Sequence, residues 1–198
     1  MTFLRDFILC FIPLFAAVDP LGVLPVFLSV TDKLQPANRR KIILQAVPAA
    51  LVIGAVFFLV GKPLLRFLNV QASDLRMAGG AFLFVYALVD LLKAGKPSVQ
   101  EEYSVGIVPL ATPLIVGPAV LTMGLVLVGT YGYVPAISAL AVNLAILLVM
   151  LLGLEKIMRF IPMNTMRALS KVIDLLLGAI GVALIRQGVM AVITGLGT

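Results

Sequence analysis

The sequence has 198 residues, of which 62% are hydrophobic and 12% charged, and its mean hydropathy is +1.16. Soluble domains average about 45–50% apolar and about 25% charged residues, so this composition excludes a disordered chain and most soluble enzymes. One cysteine and no histidine exclude an internal disulfide, a cysteine or histidine metal site and a serine–histidine relay. We therefore expect no metal site.

Six apolar segments of transmembrane length follow one another along the chain, as about 20 residues per span allow. Residues 103–154 carry no charge and are long enough for two spans, which a glycine-containing turn at 129–135 separates. The segments are continuously apolar and do not alternate, so they predict helices and not strands. The predicted spans are Phe7–Val30, Ile42–Val60, Leu75–Leu92, Val105–Gly129, Val134–Leu154 and Val172–Thr194.

The net charge of +6 is concentrated in the loops between these spans. Loops on one side carry ten basic residues, and the loops and termini on the other side carry four. The positive-inside rule places the ten in the cytoplasm, so both termini are expected outside. No basic patch is interleaved with aromatic residues on a polar face, so we expect the lipid bilayer, and no nucleic acid, as a partner. The sequence does not predict the oligomeric state.

The two halves of the chain resemble each other weakly and in a common order. Each half has three spans, an odd number, so the second half must enter the membrane from the opposite face. This predicts an inverted repeat, in which two similar helix breaks lie near the midplane. The matching features are Ile12-Pro13-Leu14 with Val108-Pro109-Leu110, Asp19-Pro20 with Gly117-Pro118, Arg66-Phe67-Leu68 with Arg159-Phe160-Ile161, and Gly79-Gly80 with Gly178 and Gly181.

Asp19 is the only carboxylate near the middle of a predicted span, and Pro20 follows it directly. A proline inside a helix removes a backbone donor, and the residue before it is pushed out of the helical region. With Gly22 and Pro25 close by, the pattern predicts unwound backbone, which is tolerated at membrane depth where it is buried or lines a wet cavity. We expect Asp19 to cap the second half-helix and to receive an ammonium group or a proton.

The fourth predicted span has its own break at Gly117-Pro118, with Thr112 before a proline as the alternative helix start. A glycine offers no side-chain cap, so free N–H groups and the positive dipole end would be available to a carboxylate. A negative side chain at the first break and a positive helix end at the second would hold a zwitterion in one orientation. The candidate substrate-binding residues are Asp19, Pro20, Gly22, Thr112, Gly117, Pro118, Thr122 one turn further on, and Asn143.

Three polar residues in or beside the predicted spans have alternative or structural interpretations, namely Asn143, Asp90 and Asp174. Asn143 either lines the substrate path or bridges two helices through a hydrogen bond, and bridging is the commoner role. Asp90 and Asp174 lie at the ends of predicted spans, which predicts interfacial positions.

The segment from Phe15 to Pro25, with Asp19-Pro20-Leu21-Gly22, resembles the opening signature of the MarC family of membrane proteins. Ala111-Thr112-Pro113-Leu114 with Gly117-Pro118 resembles the second signature of that family, although Ala119 stands where a glycine is common. The resemblance covers essentially the whole chain. It implies a bacterial or archaeal inner-membrane protein and transport of small neutral amino acids such as glycine and alanine.

The sequence therefore predicts an all-α integral membrane protein with six transmembrane helices in two inverted three-helix repeats, the first and fourth helices broken near the midplane. Residues 1–198 are expected to form one transmembrane domain, with repeats at about 1–92 and 105–198 and a loop at 93–104.

The predicted function is secondary transport of a small zwitterionic amino acid between helices 1 and 4. No nucleotide motif is present, so no cofactor is expected, and coupling to H⁺ or Na⁺ stays open. The alternatives are an efflux transporter for other metabolites or drugs, an intramembrane enzyme and a scaffold without substrate. One central acid and no histidine argue against the enzyme. Two unwound helices would be unexplained in a scaffold.

Overall fold

The computed structural model of the chain describes residues 2–31, 34–92, 115–154, 156–157 and 162–194. These residues fold almost entirely into α-helices. The helices are α1 (Thr2–Val18), α2 (Pro20–Thr31), α3 (Pro36–Phe67), α4 (Ala72–Leu92), α5 (Pro118–Tyr131), α6 (Tyr133–Leu152) and α7 (Met163–Ile193).

Five helical stretches in the described residues are long and apolar enough to cross a membrane. They fall at the first, second, third, fifth and sixth predicted spans, and they are Phe3–Leu28, Pro36–Leu65, Ser73–Leu92, Tyr133–Leu152 and Asn164–Ile193. Helix α5 is apolar and has 14 residues, since it begins at Pro118 after the extended Gly117. The first part of the fourth predicted span, 105–114, lies outside the described residues. The predicted loop 93–104 lies outside them as well. The all-α membrane class is confirmed, and the inverted repeats stay a prediction.

Two helices extend well beyond the apolar stretches that the sequence marks. Helix α3 begins at Pro36 and includes three basic residues before Ile42, and α7 begins at Met163 and not at Val172. Hydropathy identifies only the apolar part of a helix. Arginine and lysine are good helix formers, so the helix can continue beyond the apolar part. As a result, Asp174 lies well inside α7 and not at its start.

Helices α4 and α7 form the most extensive helix pair among the described elements. A Cβ built on Gly80 would lie 2.5 Å from the Gly181 carbonyl oxygen, and one on Gly181 would lie 2.7 Å from the Gly80 carbonyl oxygen. Only glycine permits two helix backbones to approach this closely. Gly80 and Gly181 therefore allow the close packing of α4 on α7.

The remaining helices enclose a hydrophobic core and leave apolar faces outward. Helices α1 and α3 each pack on α5 and α6, and α2 packs on α7. The largest fully buried side chains include Leu14, Phe27, Phe58, Leu140 and Leu147. Many equally apolar side chains are exposed instead, among them Val52, Val149, Leu175 and Leu176. Apolar residues on the outside as well as the inside are typical of helices that have lipid as their solvent.

The turn between α5 and α6 follows the sequence prediction. Gly132 has φ +89°, a conformation that glycine adopts without strain, and its N–H donates to the carbonyl of Val128. Gly132 ends α5 and directly precedes α6, so the described part of the uncharged stretch 103–154 forms two helices.

Candidate functional site

The first predicted span is interrupted at one residue, Asp19, between α1 and α2. Its φ is +42°, in the left-handed region that aspartate tolerates better than most residues. The cause lies in the next residue, because the ring of Pro20 disfavours right-handed helical geometry at the position before it. Helical hydrogen bonds resume on either side, from Asp19 N–H to the Phe15 carbonyl and from Val23 N–H to the Asp19 carbonyl, each 3.0 Å long.

The Asp19 carboxylate is held by two donors from two different helices. It accepts a hydrogen bond from the Gly22 N–H in the first turn of α2, the position that an N-capping aspartate reaches. Ser170 on α7 donates its hydroxyl to Asp19 Oδ2 at 2.5 Å. A Cβ on Gly22 would lie 2.0 Å from that oxygen and 2.7 Å from Ser170 Oγ. The backbone therefore lies directly against the carboxylate.

The other carboxylate oxygen, Asp19 Oδ1, is buried and has no hydrogen-bond partner among the described residues. A buried acceptor without a donor costs about 1–3 kcal/mol, and more when it is charged. Ionisable groups inside membrane spans commonly mark ion and substrate pathways. Asp19 can therefore cap α2 with one oxygen and bind a cationic donor with the other.

The start of α5 has a different character. Gly117 precedes the helix with φ −81° and ψ 177°, it provides no side-chain cap, and Pro118 is the first helical residue. The first intrahelical donor is Leu121 N–H, which bonds the Gly117 carbonyl at 3.1 Å. The N–H groups of Ala119 and Val120 come before it and have no acceptor within the helix. This end can stabilise a negative group, as the sequence predicts, while Thr112 lies outside the described residues.

Two other predicted site residues pack between helices. Thr122 lies against α4, since a Cβ on Gly79 would be 2.9 Å from Thr122 Cγ2. Asn143 is fully buried and donates from Nδ2 to the Phe11 carbonyl on α1 at 3.2 Å and to Ala139 in its own helix at 2.9 Å. Asn143 thus bridges α6 and α1, which is the commoner role expected from its sequence. Its Oδ1 has no partner in the described part of the chain.

Sequence reasoning missed the contribution of α7 to the site. Ser170 is 7% exposed and Asp174 is 3% exposed, so both side chains are buried. Ser170 and Asp174 are four residues apart, so they share one face of α7. That spacing is the signal that could have found them, because two polar residues on one face of an apolar helix indicate a polar contact.

The long apolar helices, the packed glycine contact and the carboxylate held inside a span define a polytopic α-helical integral membrane protein. Comparison with known families agrees with this class. Residues 4–193 match the model described as MarC family integral membrane protein, and the chain belongs to that family. The resemblance drawn from the two signatures is confirmed.

Curated relatives are membrane proteins without an activity in their names. The chain is 30% identical over 195 residues to a UPF0056 membrane protein of Buchnera aphidicola (subsp. Baizongia pistaciae), covering 94% of this chain and 97% of the relative. It is 29% identical over 199 residues to UPF0056 membrane protein MJ1677 of Methanocaldococcus jannaschii, covering 94% and 97%. The UPF0056 inner membrane protein YhgN of Escherichia coli K12 is 36% identical over 110 residues, which cover 52% and 54%. No solved structure matches the chain at a significant level.

Proposed function

We propose that this protein is a secondary transporter of small neutral amino acids, with Asp19 as the residue that binds the substrate ammonium. The observation that carries the proposal is Asp19 Oδ1, a buried carboxylate oxygen without a hydrogen-bond partner in the described residues, at a helix interruption inside a membrane-spanning segment. Discontinuous helices are a recurring way in which secondary transporters build substrate sites.

The chemistry on the two sides of the proposed site suits a zwitterion. The carboxylate of Asp19 would accept a charge-assisted hydrogen bond from an ammonium group. The N-terminus of α5, which has Gly117 as an uncapped first position, would receive the substrate carboxylate. Helix α1 packs on α5, so the two elements of the proposed site are neighbours.

The packing of the helices supports the proposed inverted repeat. If the first three spans correspond to the last three, α1–α2 is equivalent to α5, α3 to α6, and α4 to α7. Under this equivalence, the contact of α1 with α6 corresponds to the contact of α5 with α3. The contact of α2 with α7 corresponds to the contact of α5 with α4. Exchanging the two halves leaves three further contacts unchanged, namely α4–α7, α3–α6 and α1–α5. Such correspondence is expected for two halves related by an axis in the membrane plane.

The proposal is tested by flux measurements on the purified full chain in proteoliposomes. Labelled glycine, alanine, leucine and glutamate are each assayed by counterflow, in which unlabelled substrate inside the vesicle drives uptake without an ion gradient. We expect saturable uptake of glycine and alanine and little uptake of leucine and glutamate. Asp19→Asn should abolish that uptake, because an amide cannot neutralise an ammonium.

Asp6→Asn is the matched control, since Asp6 lies in a partly exposed position on α1, the helix that ends just before Asp19, and its replacement should not affect uptake. Uptake of drugs or other metabolites, with none of any small neutral amino acid, would instead support the efflux alternative. Equal glycine uptake by the wild type and the Asp19→Asn variant would contradict the role of Asp19.

A further inference from the structure

The interruption at Asp19 also leaves a backbone acceptor at the end of α1. In a continuous helix the Ala16 carbonyl would accept a hydrogen bond from the N–H four residues on, but that residue is Pro20, which has no N–H. Ala16 is 5% exposed, so its carbonyl is largely shielded from bulk water and needs a donor from elsewhere. Helix carbonyls point towards the C-terminal end, so this one is directed towards the level of Asp19 and Pro20.

Two side-chain acceptors belong to the same interruption. Asp19 Oδ1 is buried and has no hydrogen-bond partner in the part of the chain that the structure describes. The Ser170 hydroxyl donates its hydrogen to Asp19 Oδ2, which leaves the lone pairs of Ser170 Oγ able to accept. Lys171, the next residue on α7, has an acceptor elsewhere, the Asp90 carbonyl on α4. Three oxygen atoms at the interruption can therefore accept hydrogen bonds from a ligand.

The number and charge of these acceptors match a primary ammonium group, which has one positive charge and three N–H donors. The Asp19 carboxylate supplies the counter-charge, and the negative end of the α1 dipole adds to the attraction. Unwound carbonyls at the C-terminal ends of half-helices are recurring cation ligands in transporters. A secondary, tertiary or quaternary ammonium has the same charge but fewer N–H groups, so it leaves buried acceptors unsatisfied at a cost in binding.

We propose that the Ala16 carbonyl, Asp19 Oδ1 and the Ser170 hydroxyl together select a primary ammonium, so that the protein discriminates against N-methylated amino acids. This inference rests on the proposed function and deepens it, because it names the chemical class of the substrate that Asp19 binds. Ala16 acts through its backbone and Ser170 through its side chain, and both determine specificity. The charge of Asp19 attracts every ammonium, whereas the full set of acceptors distinguishes one ammonium from another.

A pair of isomeric ligands separates the number of N–H groups from molecular volume. Alanine and N-methylglycine have the same molecular formula and the same charges, but alanine has three ammonium N–H groups and N-methylglycine has two. Displacement of labelled glycine from the purified full chain gives the affinity of each. The wild type should bind alanine at least about tenfold more tightly than N-methylglycine, because the latter leaves one acceptor without a donor.

Pro20→Ala tests the contribution of the Ala16 carbonyl. The substitution restores the N–H that this carbonyl lacks, so the protein itself then satisfies one of the three acceptors. The preference for alanine over N-methylglycine should fall to about twofold or less. Pro48→Ala is the matched control, because it adds an N–H at an exposed position inside α3, and it should keep the wild-type preference. Ser170→Ala removes another acceptor and should also reduce the preference, which serves if Pro20→Ala does not fold.

Two outcomes overturn the inference and leave the proposed function standing. One is equal affinity of the wild type for alanine and N-methylglycine. The other is an unchanged preference in both Pro20→Ala and Ser170→Ala. If the wild type binds neither glycine nor alanine, the proposed function fails, and the inference built on it fails as well.

Discussion

Ser170 donates a 2.5 Å hydrogen bond to Asp19 Oδ2 and so connects α7 to the single-residue interruption between α1 and α2. The two residues are 151 positions apart in the chain, and Asp19 lies in a stretch that is otherwise apolar. The bond leaves Asp19 with one satisfied oxygen and one open oxygen. It also makes the orientation of the carboxylate depend on the position of α7.

Replacing Ser170 by alanine should therefore affect both stability and substrate binding. The variant removes the hydroxyl donor to a carboxylate, which costs about 1–3 kcal/mol. Thermal unfolding in detergent and the glycine affinity measure the two effects. Ser138→Ala is the matched control, because Ser138 donates to carbonyl groups of its own helix. Equal behaviour of the two variants would show that the Ser170–Asp19 bond contributes nothing.

Gly22→Ala should block the substrate site. The added Cβ would lie 2.0 Å from Asp19 Oδ2 and 2.7 Å from Ser170 Oγ, so the carboxylate would have to rotate away. We expect a loss of glycine uptake of at least about tenfold, the effect of about 1.4 kcal/mol of lost binding energy. Gly129→Ala provides the comparison, since no atom lies within 4 Å of a Cβ at that position. Wild-type uptake by Gly22→Ala would mean that the space beside Asp19 is not used.

Gly80→Ala should separate α4 from α7 and reduce stability. Its Cβ would meet backbone atoms, the Gly181 carbonyl oxygen at 2.5 Å and the Ile185 nitrogen at 2.9 Å, and neither can rotate aside. Overpacking of this kind costs about 1–3 kcal/mol. Gly178→Ala on the facing helix should be tolerated, because its Cβ would make an ordinary 3.6 Å contact with Ala87 Cβ. Thermal unfolding of the two variants gives the answer, and the same melting temperature for both would contradict the close contact.

Asn143→Ala distinguishes helix bridging from substrate binding. Loss of the Nδ2 bond to the Phe11 carbonyl should destabilise the protein by about 0.6–1.7 kcal/mol, the range for interhelical hydrogen bonds in membranes. The glycine affinity should stay within about twofold of the wild-type value, a change of about 0.4 kcal/mol. Lost affinity at unchanged stability would instead place Asn143 in the substrate path.

Much of the fold follows from local features of the sequence. Apolar runs of spanning length predict the membrane helices, Gly132 predicts the turn between α5 and α6, and Pro20 predicts the interruption at Asp19. These signals are local because backbone geometry and hydropathy act over one or two turns of a helix. The limits of α3 and α7 were predicted less well, because hydropathy does not register helical turns that lie beyond the apolar stretch.

The site is predictable only in part. Asp19 and Gly22 are three residues apart in the chain, and their contact follows from the geometry of a capped helix. The partnership of Ser170 with Asp19 depends on which faces of α1, α2 and α7 meet, and no local pattern fixes that. The matching break in the fourth span stays a prediction, since the residues before Ile115 lie outside the described ones.

The most direct test of the account is equilibrium binding of alanine to the purified protein, with propionate and ethylamine as competitors. Propionate has no ammonium group and ethylamine has no carboxylate, so each analogue retains one half of the zwitterion. We expect the wild type to bind alanine and to prefer it to both analogues, and Asp19→Asn to bind alanine at least about tenfold more weakly, a difference of about 1.4 kcal/mol. Equal alanine affinity in the wild type and in Asp19→Asn would contradict the claim that Asp19 binds the substrate ammonium.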